Sequence, residues 1–383
     1  MSGQGPIPIR SITARLCKLV NKNPGTYTGG IQDPEDDYFL FVGISDGRES
    51  GYGECNPTSI LYPPGHIGRS SVDEWQTCLD LCRELLGKDA RFLGRLIPEK
   101  SRFEDNNSVI DAVDFALHDL VGRRIGMPVA VLLGGLARPF VWGMPVVYTD
   151  TPDNMAKRAG ELYRQYGFRY YKLKPIGNLE ADAETLRKMS EKTSAEVRYY
   201  MDSNYMLAMN PDEVIGYINE LFKLGLVAYE DPINTDFETY RYIQSRVKAK
   251  IMLDEKARSL NKVLEIVQAK AAGQINIHAN WAGGFQPALQ KANLAALAGM
   301  PAMIGSTYYL GPGAAAYQTL AAVLPLAAPC EQVNMDVFGF RSFIEDPYET
   351  REGKIFIRDA PGLGIQPKIE LIEEITTKKE IIA

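Results

Sequence analysis

The 383-residue sequence predicts an α/β protein in which a closed β/α barrel carries a smaller α+β unit as a cap. Three observations lead there. After Gly134-Gly135, short apolar strands alternate with helices of roughly 10 to 16 residues. Before that point the pattern is a β meander followed by two helices. Five consecutive strands of the alternating part end in an ionisable side chain, and those ends are where a parallel barrel gathers its functional groups.

The capping unit spans residues 1–135. From Arg10 to Gly53, Ile12, Ala14 and Leu16 alternate with Ser11, Thr13 and Arg15, and Tyr38-Phe39-Leu40-Phe41-Val42 leads into the turn Ser45-Asp46-Gly47. This is the period-two pattern of half-buried strands. Helices are expected at Ser71–Leu86 and Val109–Arg124, the second closed by Gly126 and Pro128.

The barrel spans residues 136–337. Strands are expected at Val141–Val147, Tyr170–Lys174, Arg198–Met201, Ala228–Glu230, Ile251–Asp254, Ile275–His278, Ala302–Ser306 and Val333–Asp336. Between consecutive strands lie helical segments at Pro152–Tyr166, Glu180–Lys192, Pro211–Leu224, Phe237–Val247, Leu260–Ala269, Phe285–Ala298 and Gly313–Leu324. Eight parallel strands with seven intervening helices close into a modified TIM barrel, seven β/α units plus a final strand. Residues 338–383 carry strand-like runs and Pro361-Gly362-Leu363-Gly364, and are expected to return to the cap.

Composition narrows the functional classes. With 45% hydrophobic and 23% charged residues the chain is globular, and no apolar run approaches the roughly 18 to 20 residues of a membrane span. Met1–Pro8 has no apolar core of a signal peptide, so a cytoplasmic setting is expected. The five cysteines, Cys17, Cys55, Cys78, Cys82 and Cys330, form no CxxC pair and are read as reduced thiols, Cys78 and Cys82 as small core residues on one helix face. A formal charge of −6 without a Lys/Arg block argues against nucleic acid and membrane partners.

The strand ends read Lys172-Leu173-Lys174, Asp202-Ser203-Asn204, Glu230-Asp231-Pro232, Asp254-Glu255-Lys256 and His278. Singly, each acid has a plain structural reading as a helix cap or turn starter. Their succession is more telling: Asp202, Glu230 and Asp254 follow one another at one βα unit each and so converge at the barrel mouth. Three carboxylates without a cation would repel one another and raise their pKa values. An all-oxygen set suits Mg²⁺ or Mn²⁺ rather than zinc. Lys172 and Lys174 flank Leu173, so both face the barrel interior, where an unpaired ammonium is costly. One can neutralise a carboxylate; the other, its pKa lowered by a neighbouring cation, can act as a base.

This constellation resembles the enolase superfamily, in particular its muconate-lactonising (muconate cycloisomerase) subgroup, which also contains dipeptide epimerases and N-acylamino acid racemases. The resemblance is carried by Gly51-Tyr52-Gly53-Glu54, Ala116-Leu117-His118-Asp119-Leu120, Leu132-Leu133-Gly134-Gly135, the KxK at Lys172 and Lys174, the three acids, Asp231-Pro232 and Pro361-Gly362-Leu363-Gly364. It implies Mg²⁺, with Mn²⁺ as a substitute, held by Asp202, Glu230 and Asp254. It also implies Lys174 as general base, Lys172 on the substrate carboxylate, and Asn204 as the end of an Asp-x-Asn motif. The implied chemistry is removal of the proton α to a carboxylate through a metal-stabilised enediolate, leading to racemisation, epimerisation or cycloisomerisation.

Three departures from the subgroup bear on the reaction. His278 stands where it has a second lysine, Thr307-Tyr308-Tyr309 where lactonising enzymes tend to have a glutamate, and Asn334-Met335-Asp336 where dipeptide epimerases have Asp-x-Asp. A histidine with its ordinary pKa near about 6.5 is a better acid than lysine at neutral pH, which brings β-elimination of a hydroxy or sugar acid close behind racemisation. A binding protein that has lost the chemistry is the other class of reading. Substrate contacts are expected from Tyr27 in the loop Asn21–Gly30, from Tyr62 and His66 in the loop Asn56–Ile67, and from Lys256, Tyr309 and Asp336 at the barrel mouth. His118 is read as structural. The expected partners are a small carboxylate substrate and further copies of the chain in a homo-oligomer.

Overall fold

The computed structural model describes residues 5–21, 24–57, 73–96, 107–278, 281–332 and 343–383. In the cap, β1 (Ser11–Val20), β2 (Asp36–Ser45) and β3 (Ser50–Cys55) form an antiparallel meander. Helix α1 (Glu74–Leu85), capped by Asp73, buries Cys78, Leu79, Leu81, Cys82 and Leu85 against it. Helix α2 (Asn107–Ile125) is buried along nearly its whole described length, because it lies between the cap sheet and the barrel.

The Gly51-Tyr52-Gly53 motif has a packing reason. A Cβ on Gly51 would stand 2.1 Å from the Leu120 nitrogen, and one on Gly53 would stand 2.0 Å from the Ala112 carbonyl oxygen. Only glycine lets β3 press onto the backbone of α2. Asp111 and Asp114 of α2 join the cap to the barrel, and Asp119 ties Tyr52 on β3 to the tail. Asp114 accepts from Phe285 N at 2.8 Å, Asp111 from Gly284 N and from Tyr317 Oη at 2.9 Å, and Asp119 from Leu363 N at 2.7 Å.

The barrel strands are β4 (Phe140–Val147), β5 (Tyr170–Leu173), β6 (Arg198–Asp202), β7 (Leu226–Glu230), β8 (Lys250–Leu253), β9 (Gln274–Ile277), β10 (Ala302–Ile304) and β11 (Cys330–Gln332). Strands β4 to β10 pair in parallel in chain order, β11 pairs in parallel with β4, and a bridge between Ala302 and Ala327 closes the ring. Helices α3 (Pro152–Tyr166), α4 (Leu179–Lys192), α5 (Pro211–Phe222), α6 (Phe237–Gln244), α7 (Leu260–Ala269), α8 (Phe285–Leu297) and α9 (Pro312–Val323) separate them. Thr151, Asn178, Asn210, Asp236 and Ser259 each accept a backbone N–H as N-caps of α3 to α7, each worth about 1 kcal/mol. The barrel interior is filled by Met144, Tyr200, Ala228, Met252 and Met303, so it is a packed core and not a pore.

In the tail, β12 (Glu349–Arg351) and β13 (Lys354–Phe356) make a hairpin whose second strand pairs antiparallel with the start of β4. After α10 (Ile369–Glu374), β14 (Thr376–Ile382) pairs with β1 in the cap sheet. Among the described residues the eighth barrel strand covers Cys330–Gln332; the expected Val333–Asp336, with Asp336, lies outside the described residues, as do Tyr62 and His66. Among the described residues no helix is long and apolar enough to cross a membrane, and all five cysteines are free and buried.

Candidate active site

The alternation of Lys172-Leu173-Lys174 puts both lysine side chains inside the barrel, 2% and 5% exposed, with Leu173 in the outer core. Asp202 and Glu230 end β6 and β7, and Asp254 and His278 directly follow β8 and β9. Lys172 Nζ is 2.7 Å from Glu230 Oε2 and 3.2 Å from Asp202 Oδ2. Lys174 Nζ is 2.6 Å from Asp202 Oδ2 and donates to Asn204 Oδ1 at 2.8 Å. Asn204 takes a left-handed φ of 46° and donates its N–H to Asp202 Oδ1 at 3.0 Å, a turn that asparagine tolerates. Asn276 Nδ2 donates to Glu230 Oε1 at 2.8 Å, and the backbone N–H of Glu255 to Asp231 at 3.1 Å.

One buried acid in this cluster was not anticipated from the sequence. Glu331 on β11 places Oε2 3.3 Å from Lys172 Nζ and accepts from Ser306 N at 3.2 Å. The signal available was Lys172 itself, a buried cation needing more than one partner.

The charges do not balance. Asp202, Glu230, Asp231, Asp254 and Glu331 are all buried, facing two lysine ammoniums. Burial opposes the charge on Lys172, yet Glu230, Glu331 and Asp202 outweigh it and hold its pKa well above the lysine range. Burial likewise opposes the charge on Asp202, and there Lys174 and Lys172 win and pull it below the usual range. Glu230 is pushed up to about 7 by burial and by Asp202. Asp254 goes well above the carboxylate range through burial and the fields of Glu230, Glu255 and Asp231. Among the described residues no group of three His, Cys, Asp or Glu stands in ligating geometry, and Lys172 lies between Asp202 and Glu230. The excess of buried carboxylate oxygen is nevertheless the donor chemistry of a hard divalent cation, which would remove the repulsion that raises Glu230 and Asp254.

The cap covers the mouth. Tyr27 lays its ring 4.8 Å from Lys174 Nζ and donates its hydroxyl to Asp33 Oδ1 at 2.7 Å. Tyr308 donates to Asp33 Oδ2 at 3.2 Å and meets Tyr148 at 3.0 Å between hydroxyls, while Thr28 donates to the Pro175 carbonyl. Neither Asp33 nor Tyr308 was expected from the sequence.

His278 is partly buried, its ring 4.7 Å from that of Trp281. Its pKa is pushed down to about 3 by burial, then by the charges of Lys172, Arg258 and Lys174. The shift departs from the ordinary pKa expected of it from the sequence. Two other expected contacts are not drawn into the cluster. Lys256 donates to Asn234 Oδ1 at 3.1 Å at the surface, and Tyr309 packs its ring 5.5 Å from Tyr317. His118 is buried against Asp114, Nδ1 to Oδ1 3.1 Å, at the junction of cap and barrel.

Residues 154–371 match the family described as enolase C-terminal domain-like, and residues 38–134 match the N-terminal domain of the mandelate racemase / muconate lactonizing enzyme family. The chain belongs to the enolase superfamily. It is 25% identical to the N-succinyl-L-Arg/Lys racemase of Bacillus cereus over 71% of this chain and 72% of that protein. It is 26% identical to muconate cycloisomerase 1 of Rhodococcus opacus over 88% and 90%. The crystal structure of a dipeptide epimerase from Cytophaga hutchinsonii, complexed with Mg and the dipeptide D-Ala-L-Val, superposes with a TM-score of 0.84 at 21% identity, covering 98% of this chain and all of that one.

Proposed function

We propose that this protein is an enzyme that removes the proton α to the carboxylate of a small carboxylic acid, with Lys174 as the base and Mg²⁺ or Mn²⁺ held by Asp202, Glu230 and Asp254. The observation that carries this reading is Lys174 Nζ, buried at the barrel rim 2.6 Å from Asp202 beside a second lysine and an excess of carboxylates. Bound Mg²⁺ would supply Lewis-acid neutralisation of the substrate carboxylate and of the negative charge that grows on it as the proton leaves. Lys172 would orient that carboxylate and share its charge. Asn204 would hold Lys174 in place, and Tyr27 would keep water from its amine.

The outcome depends on His278. His278 directly follows β9 on the same barrel mouth as Lys174, a placement that supports a two-base reading, and two of the proteins to which the chain is similar are a racemase and an epimerase. Racemisation or epimerisation is therefore the leading reaction and cycloisomerisation the second, Lys174 acting alone. Dehydration of a hydroxy or sugar acid comes third.

The test is α-proton exchange in D₂O, followed by NMR, over a panel of N-succinyl and other N-acylamino acids, dipeptides and hydroxy acids with and without Mg²⁺. Mg²⁺-dependent loss of the α-proton signal from at least one acid is expected. Absence of exchange across the panel in protein that binds Mg²⁺ would remove the proposal.

A further inference from the structure

We propose that Trp281 and Arg258 clamp the His278 imidazole in place, making both of them positioning residues for the proton transfer assigned to His278. The inference rests on that assignment and adds what holds the ring. Trp281 N donates to the His278 carbonyl at 3.1 Å, and the indole lies 4.7 Å from the imidazole, tilted by 38°. The guanidinium of Arg258, four residues beyond Asp254, sits 3.8 Å from the Trp281 ring, a cation–π spacing. The order is therefore imidazole, indole, guanidinium.

Both outer supports are themselves fixed. Arg258 is ion-paired with Glu255, whose backbone N–H is held by Asp231. Lys291 on α8 is 3% exposed and donates from Nζ to the carbonyls of both Arg258, at 3.2 Å, and Trp281, at 3.0 Å. A buried ammonium is expensive to keep, and this one joins the loop after β8 to the loop after β9. The need for such a device follows from the side chain. A partly exposed histidine at a strand end has a broad χ2 well, and a displacement of about 1 Å at a proton-transfer group costs on the order of 100-fold in rate. The Arg258 charge also disfavours the imidazolium form, in keeping with the downward shift of His278.

The clamp has a signature that does not depend on turnover. The chain has three histidines, so ring resonances of ¹⁵N-histidine-labelled, Mg²⁺-loaded protein can be assigned with His278→Asn. The His278 ring protons should lie upfield through the Trp281 ring current, move toward ordinary values in Trp281→Ala, and stay largely upfield in Trp281→Phe. A His278 signal at ordinary shift in the wild type overturns the clamp, whatever the enzyme turns over.

The kinetic arm uses N-succinyl-L-arginine, or whichever acid of the panel the wild type exchanges. In Trp281→Ala the half-reaction lost in His278→Asn should fall on the order of 10- to 100-fold. The half-reaction lost in Lys174→Ala, and Mg²⁺ affinity, should stay within about twofold of wild type. Trp281→Phe should recover most of the loss, and Arg258→Ala should show a smaller loss of the same kind. Equal loss of both half-reactions, or no change in their ratio, overturns the positioning role. A wild type that exchanges nothing, or a His278→Asn variant that loses nothing, defeats instead the reading of the site on which the clamp rests.

Discussion

Lys172 Nζ lies 2.7 Å from Glu230 Oε2, and both side chains are buried. The same ammonium serves Asp202 and Glu331, so its removal strands three acids at once. Breaking a buried pair by deleting one partner costs about 3 to 5 kcal/mol. Lys172→Met should lose stability of that order when Mg²⁺ is absent, and it should recover more than the wild type does when Mg²⁺ is added, because a ligand that binds only the folded state stabilises by mass action. Thermal melts with EDTA and with excess Mg²⁺ read both. Equal Mg²⁺ shifts in the two proteins would mean that the cation does not bind among these acids.

The three proposed ligands make a separate prediction. Asp202→Asn, Glu230→Gln and Asp254→Asn should each abolish Mg²⁺-dependent exchange and weaken Mg²⁺ binding by calorimetry at least tenfold, while far-ultraviolet circular dichroism stays that of the wild type. Asp254→Asn should also melt higher than the wild type in EDTA, since it removes a charge that burial and three neighbouring acids oppose. Undiminished Mg²⁺ affinity in all three variants would place the cation elsewhere.

How much of this was legible beforehand differs residue by residue. Lys172, Lys174, Asp202, Glu230 and Asp254 could be found because strand alternation fixes which side chains face inward and each stands at or next to a strand end. Glu331 could not, since Cys330-Glu331-Gln332 looks polar and carries no apolar run that marks a barrel strand. What keeps a glutamate inside the barrel there is Lys172, 159 positions away. The same holds for Asp33 and Tyr308, which meet across 275 positions. Lys256 and Tyr309 stand near strand ends in sequence, and side-chain direction carries one to the surface and the other into the packing around α9, which no local pattern shows. The acidity of His278 needed the positions of Lys172, Arg258 and Lys174, which no local pattern supplies.

A pH effect should be visible under the capping loop. Asp37 is buried, its Oδ2 has no hydrogen-bond partner among the described residues, and burial followed by the charge of Asp33 pushes its pKa up to about 7. An acid with a raised folded pKa holds its proton in the native state where the unfolded chain has lost it. Its contribution is therefore fully present below pH 3.8 and is lost as pH rises through about 7. Asparagine does not titrate, so Asp37→Asn should be near wild type in stability at pH 4 and more stable at pH 8, by about 2 to 4 kcal/mol. Denaturant melts at the two pH values check this; a gap that stays constant with pH would show that Asp37 is ionised throughout.

The last prediction separates the two proposed bases by stereochemistry. If Lys174 and His278 serve opposite faces of one substrate, each removes the α-proton from a different enantiomer or epimer. His278→Asn should then exchange the α-proton of one stereoisomer with solvent, retain its configuration and form no product, because the proton can return only from Lys174. Lys174→Ala should show the mirror behaviour, exchanging only the other stereoisomer through His278. Mg²⁺ and Lys172 remain in both variants, so substrate affinity should change by no more than a few-fold while product formation falls by at least 1,000-fold, the upper part of the range for a positioned acid–base group. Two chemically different results would redirect the mechanism. Near-normal product from His278→Asn would leave one-base chemistry by Lys174, as in a syn elimination or a cycloisomerisation. Loss of exchange from both stereoisomers in His278→Asn would mean that the imidazole shapes the pocket that Lys174 needs and carries no proton itself.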